Sequence, residues 1–395
     1  MATRSPVQAV VLAHGVNGLG AIRSLGEAGI PHAVVCAGTG NPARFSRYPS
    51  RTLRVGIGAT DRELLETLSP VARQNVALLG TSDAHIDFLS RQREALVAAG
   101  FAVVCPPRDL GAKLNDKATE LALVRNVAID VPKSLTALMP TADAVIARLG
   151  LPIMIKPRSY RSASLIASPN VIVRDRATLE AFLARHADHL DAFVAQELID
   201  GDDKALWVCN CLFGEGGALL QAFSFQRLRT SPPHFGATTF AIGRENPVVK
   251  QLCATVGHAL GYVGPAMIEF KFSAAADRYY YIETNPRLGM CNIFDTRSGV
   301  NNVAMAVRMA RGEPKPAAAV AQRDGVYYLN FLTDLESRVS DGERLPAILW
   351  SYARTAGARH AWAFFSWRDP YPWLRVVISQ VAYTLRRVVH RAFRD

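Results

Sequence analysis

The chain has 395 residues, 49% of them hydrophobic and 20% charged, a globular mix with room for two or three domains and enough apolar material for a sizeable core. Its net charge of +11 favours anionic partners: nucleotides, acidic substrates or lipid headgroups. No zinc-finger spacing or aromatic–basic RNA motif accompanies that charge, so no nucleic-acid partner is expected.

Residues 1–8 lack a signal-peptide layout, and no segment approaches the roughly 18 uninterrupted apolar residues of a membrane span. A cytoplasmic protein is expected. Strands are predicted at 7–13, 32–37, 76–80 and 101–105, with helices at 19–28, 61–74 and 83–99, the alternation of βαβ units around a parallel sheet. Gly15, Gly18 and Gly20 sit at the first strand-to-helix turn. Their spacing is not G-x-G-x-x-G, and no acidic residue ends the second strand. They read as turn and packing residues, with NAD binding the lesser alternative.

After Pro106-Pro107 the character becomes α+β. A helix at 114–126 carries Lys117, and a strand at 151–156 ends in Lys156. The polar loop Arg158–Ser164 follows, then a strand at 166–173, a helix at 177–186 and a strand at 193–199 that runs into Asp200-Gly-Asp-Asp203. Two strands flank a turn at 214–217, a helix covers 247–260, and strands at 266–272 and 279–285 precede a helix at 300–311. The six cysteines show no metal-ligand spacing and read as buried small hydrophobes in a reducing compartment.

The two strands at 266–272 and 279–285 carry the chemistry. Side chains alternate, so Glu283 and Asn285 share a face, with Arg287 close by. If the strands form a hairpin in which Ser273 faces Tyr279, Glu269 falls opposite Glu283. Two carboxylates so placed repel unless a cation lies between them, and oxygen ligands of this kind suit Mg²⁺. The ordinary alternative is a surface hairpin with solvated polar residues.

Glu269 with Glu283-Thr-Asn285-Pro-Arg287 resembles the metal-binding signature of ATP-grasp enzymes, and the likeness extends over roughly residues 7–315. It implies ATP as a cofactor with Mg²⁺ (or Mn²⁺) on Glu269, Glu283 and Asn285, and a catalytic Arg287 stabilising the phosphoryl group and a later oxyanion. Lys117 resembles the family's first nucleotide lysine and Lys156 the second, carried on the lid. Glu197, Leu198 and Ile199 match the hinge that binds adenine, and Asp202 the acidic group that reaches the ribose. Ser46-Arg47-Tyr48, Leu79–Asp83 and Arg227–Gly236 are similar to segments of the carboxylate–amine ligase branch, which includes D-aspartate ligase and the ATP-grasp units of the carbamoyl phosphate synthetase large subunit.

The resemblance implies a mixed α/β and α+β fold. Residues 1–107 would form an amino-terminal Rossmann-like parallel-sheet domain, and 108–315 a two-lobed ATP-grasp domain with its lid at about 130–200. Residues 316–395 would be a helical carboxy-terminal extension with a basic amphipathic helix at 373–393. The implied reaction activates a carboxylate as an acyl phosphate and joins it to an amine, releasing ADP and phosphate. The alternatives are a non-amine nucleophile or a nucleotide-binding regulator with little turnover.

Departures from the family pattern are the lid loop, Arg158–Ser164 in place of a glycine-rich turn, and Gln226-Arg227 where a lysine–arginine pair is common. Ser hydroxyls with Arg158 or Arg161 are expected over the phosphates, and Arg229 and His234 against an acidic substrate. Residues 373–395 are read as packing on the core, with peripheral contact to the inner face of a membrane as the alternative. A homodimer is the usual state of such relatives.

Overall fold

The structure is a computed structural model and describes residues 6–107, 109–166, 170–234, 236–314 and 320–380. Three sheets organise these residues. The first consists of β1 (Ala9–Ala13), β2 (His32–Ala37), β3 (Arg51–Val55), β4 (Val76–Gly80) and β5 (Phe101–Val104), all parallel in the order β3-β2-β1-β4-β5. β1 and β4 are buried along their whole length, as continuous apolar runs covered on both faces must be. β3 was not predicted; with Arg51, Thr52 and Arg54 exposed at the sheet edge, it carries no apolar period to read.

The glycine turn packs as expected. A Cβ on Gly18 would meet Ala13 Cβ at 2.5 Å, so only glycine lets the helix Gly15–Glu27 lie this close to β1. The predicted helix at 83–99 is two helices, Asp83–Arg91 and Arg93–Ala98, broken at Gln92.

The second sheet is small, with β6 (Ser134–Leu135), β7 (Ile153–Pro157), β8 (Val171–Val173) and β9 (Phe193–Glu197) in the order β6-β9-β7-β8. Its inner face buries Ile153, Ile155, Phe193 and Ala195 against Val145, Leu179 and Leu183, a core separate from that of the parallel sheet. β7 carries Lys156 next to its last residue, and this sheet delivers it to the cleft.

The third and largest sheet has the order β14-β13-β10-β11-β12-β15-β16. It contains β10 (Leu206–Phe213), β11 (Leu219–Ser231), β12 (Ala237–Gly243), β13 (Gly264–Ser273), β14 (Arg278–Asn285), β15 (Tyr327–Leu329) and β16 (His360–Trp362). The last two strands come from the expected carboxy-terminal extension, which is therefore joined edge-on to the sheet that carries the site. Its residue Asp369 lies fully buried against the amino-terminal domain, where Arg23 Nε, Ser46 Oγ and Arg47 N all donate to its carboxylate. The Ser46-Arg47-Tyr48 segment thus holds the returning chain.

All six cysteines are free and buried. Among the described residues no helix is long and apolar enough to cross a membrane. Of the predicted helix at 373–393, residues 373–380 are helical, in a helix that begins at 371, and 381–393 lie outside the described residues.

Candidate functional site

β13 and β14 pair antiparallel with Glu269 opposite Glu283 and Met267 opposite Asn285. The turn is one residue tighter than predicted: Ser273 faces Arg278, so the loop is 274–277. A bulge at Ile282 restores the register, because Phe270 faces Tyr281 while Glu269 faces Glu283. The extra residue also turns Tyr281 and Glu283 to opposite faces. Tyr281 enters the core, where its hydroxyl donates to Glu120 Oε1 and accepts from Thr284 Oγ1, while Glu283 looks into the cleft.

The cleft has a volume of about 710 Å³, within the range of small-molecule sites. The helix Asp83–Arg91, which follows β4, contributes Asp83, the small sheet Lys156 and Glu197, and the large sheet Glu269, Glu283 and Asn285. Lys117 enters at the first residue of the helix Lys117–Val124, which is capped by Asp116.

Charge neutralisation orders these groups. Lys117 Nζ lies 2.8 Å from Glu283 Oε2, and Asn285 Nδ2 donates to Glu283 Oε1 at 3.0 Å. Burial would raise the Glu283 pKa, but Lys117 and Lys156 overcome it and hold the carboxyl well below the usual range. Burial works against charge on Lys117 too, yet Glu283 and Glu120 outweigh it, and its pKa is raised. For Lys156 burial wins and the pKa is lowered; no described residue pairs with it at ion-pair distance. A buried ammonium facing a cleft with no partner suits an anionic ligand. Burial raises Glu269, whose Oε1 accepts from Arg227 Nη2.

The donor set fits a divalent cation. Each carboxylate offers about four acceptor positions, and the described partners use only some of them: Arg227 on Glu269, Lys117 and Asn285 on Glu283. Asn285 Oδ1 accepts one bond, from Arg287 Nη2 at 3.0 Å, and retains a lone pair. The ligands would be all-oxygen, as Mg²⁺ or Mn²⁺ prefers.

Of the residues expected from sequence, Lys117, Lys156, Glu197, Leu198, Ile199, Asp202, Glu269, Glu283, Asn285, Arg287 and His234 line this one cleft, and Arg229 does not. Glu197 Oε1 accepts the Lys133 N–H at 2.8 Å, Leu198 N donates to Pro152 O, Ile199 O accepts Lys271 Nζ, and Asp202 caps Lys204 N. Arg229 turns away for a structural reason. A bulge in β11 pairs Arg227 with Ala241 but Arg229 with Phe240, so the two arginines project from opposite faces. Arg229 stacks 4.0 Å over the Phe240 ring and forms a two-pronged bond to buried Asp334, which also accepts from Thr239 and Tyr352. Asp334 lies in the carboxy-terminal helix Phe331–Ser340.

The sequence reading missed three contributors. Asp83 accepts from Arg287 Nε and aims the guanidinium; it was visible only as the end of the Leu79–Asp83 segment. Arg227 reaches Glu269; in the sequence it is visible only as the start of the Arg227–Gly236 segment and as part of a departure from the family pattern. Glu120 accepts the Thr284 N–H and the Tyr281 hydroxyl, and burial pushes its pKa up to about 7. Its one signal was position: three residues after Lys117 it lies on the neighbouring helix face.

The loop expected over the phosphates is clasped rather than glycine-rich. Tyr160 Oη and Arg161 Nη2 both donate to Asp87 Oδ2 at 2.8 Å, and Arg158 Nε donates to Asp116 at 2.7 Å. Both loop arginines are therefore spent on carboxylates of the facing helices instead of reaching into the cleft. Asp87→Asn is expected to weaken binding of the nucleotide that the family resemblance implies about five- to tenfold, since part of the clasp is solvent-exposed. Nucleotide titration checks this, and an unchanged affinity would mean that the clasp does not hold the lid.

Residues 239–317, which include both site strands, match the family model described as the ATP-binding domain of the carbamoyl-phosphate synthase L chain. No curated protein matches the chain. Among solved structures, biotin carboxylase from Campylobacter jejuni is similar with a TM-score of 0.62 and 14% identity over 80% of this chain and 73% of that one. N5-carboxyaminoimidazole synthetase from Staphylococcus aureus, solved with ADP, has a TM-score of 0.62 and 12% identity over 80% and 79%. L-amino acid ligase from Bacillus licheniformis has a TM-score of 0.57 and 16% identity over 79% and 76%. At these identities the likeness establishes the fold.

Proposed function

We propose, from the premise that this chain has the ATP-grasp fold, that it is an ATP-dependent ligase that activates a carboxylate as an acyl phosphate and joins it to an amine, releasing ADP and phosphate. One observation carries the reading: opposed Glu269 and Glu283, flanked by Lys117 and Lys156 from two different lobes of one cleft. Structures of similar fold, a biotin carboxylase in a β,γ-ATP complex and an L-amino acid ligase, support it by analogy of fold.

The chain's own residues have distinct roles in this scheme. Lys156, the buried cation without a described partner, and Lys117, which exchanges Glu283 for an anion, neutralise the nucleotide's phosphates from opposite sides. Glu269, Glu283 and Asn285 would hold Mg²⁺ or Mn²⁺, which supplies Lewis-acid neutralisation of the phosphoryl oxygens. Asp83 and Asn285 pin Arg287, so its guanidinium is already aimed when charge develops on the acyl group. The hinge at Glu197–Ile199 and Asp202 line the nucleotide end. No side-chain nucleophile is required, because positioning and charge neutralisation account for catalysis of this type.

The test is ADP and phosphate release from Mg-ATP against a panel of amino acids and small carboxylates. Release that depends on one acid and one amine together is the expected result. An acid that suffices without an amine would point to a different nucleophile. Nucleotide binding with no turnover across the panel would favour a regulator.

A further inference from the structure

We propose that the end of the cleft beyond Glu269 is the acid subsite and that it takes an apolar monocarboxylate, anchored on Arg227. The proposal rests on the ligase reading and adds to it a substrate class.

Positive charge at this end is almost fully committed. Arg229 is locked on Asp334, and Arg287 on Asp83. Lys271 donates to Ile199 O. His234 lies between Asp203 and Asp341, at 3.9 and 3.7 Å, so its imidazole already faces two carboxylates. Arg227 differs. It is 8% exposed, one nitrogen binds Glu269, and its Nε is buried without a hydrogen-bond partner. A buried unpaired N–H beside a cleft is costly, and a bound carboxylate would satisfy it. A divalent cation on Glu269 would further leave the guanidinium to another anion. That makes one anchor for one carboxylate.

The remaining wall is uncharged. Met267, Met290, Cys291 and Ala237 line this end, and Ser231 and Thr238 are neutral. Met267 Sδ would come within 2.9 Å of a Cβ on Gly289, so the thioether lies tightly on the loop that leads to Met290. Cys291 is 2% exposed, and burial pushes its thiol up to about 12, leaving it a small neutral surface. Flexible thioethers adapt to varied apolar shapes. A second carboxylate placed here would be desolvated with no cation to meet it.

The experiment is calorimetric titration of the full chain, first with Mg²⁺ and a non-hydrolysable ATP analogue, then with carboxylates on the nucleotide-loaded protein. Isovalerate and 3-phenylpropanoate should bind at least about tenfold more tightly than glutarate and L-aspartate. Arg227→Gln should weaken isovalerate binding roughly ten- to a hundredfold. Because Arg227 is buried and that variant could misfold, Met290→Lys, at a half-buried position, serves as the independent variant. It should narrow or reverse the preference by supplying the missing second cation. Dicarboxylates binding as tightly as monocarboxylates, or neither class binding to nucleotide-loaded protein, would overturn the proposal. Failure in the first titration instead overturns the ligase reading beneath it, and the two failures are told apart by that step.

Discussion

Glu283→Gln is expected to lower carboxylate-dependent ADP release about a thousandfold. The residue stands where three demands meet: it faces Glu269 across the strand pair, it neutralises Lys117 at 2.8 Å, and it accepts from Asn285. Glutamine keeps the shape and removes the charge. Divalent-cation affinity should fall with it, because the remaining anionic ligand, Glu269, is already shared with Arg227. Metal-free nucleotide should behave in the opposite way. Loss of the carboxylate frees Lys117 from its competitor, so ATP binding in the presence of a chelator should hold or tighten. Paired measurements, turnover with Mg²⁺ and nucleotide titration without it, separate a lost metal ligand from a damaged fold. Turnover within tenfold of the parent would sink the assignment of Glu283.

Asp369→Ala is expected to cost about 3–5 kcal/mol of unfolding free energy. Its side chain is fully buried, and removing it strands Arg23, itself 1% exposed, with only the Asp369 carbonyl to bind. Burial already lowers the Arg23 pKa, and Asp369 is the principal group opposing that. The same carboxylate takes Ser46 Oγ and Arg47 N, so three donors lose their acceptor together. The double replacement Arg23→Met with Asp369→Leu should be milder than Asp369→Ala alone, because no charge is left buried and unpaired. Chemical denaturation of the three chains checks this. A cost under about 1 kcal/mol for Asp369→Ala would show that the carboxy-terminal return is not held by this pair.

The parts of the site that could be read in the sequence share a physical basis. Alternation along a strand places Glu283 with Asn285, and an apolar run ending in Lys156 marks a buried strand that delivers a charge at its tip. Arg227, Asp83 and Glu120 escaped because each acts through a partner on another element. Asp83 and Arg287 are 204 residues apart in the chain, and Glu120 and Thr284 are 164 apart. β3 and β12 escaped for a different reason: the first is an exposed edge with charged residues, and the second follows the Arg227–Gly236 segment, which was read for its contacts to an acidic substrate.

Residue type and period determined by themselves the parallel amino-terminal sheet and the shared face of Glu283 and Asn285, since these depend on burial and alternation within single elements, while Lys117 and Lys156 were marked as ligands only by the family resemblance. Only the tertiary structure decided which way the strands turn at their irregularities. One extra residue at Ile282 aims Glu283 into the cleft although the turn is one residue tighter than predicted, and one in β11 sends Arg229 out of it. A bulge reverses every side chain beyond it, and whether a strand accepts one depends on partners that arrive from elsewhere: Glu120 beneath β14, and Asp334, 105 residues past Arg229, behind β11.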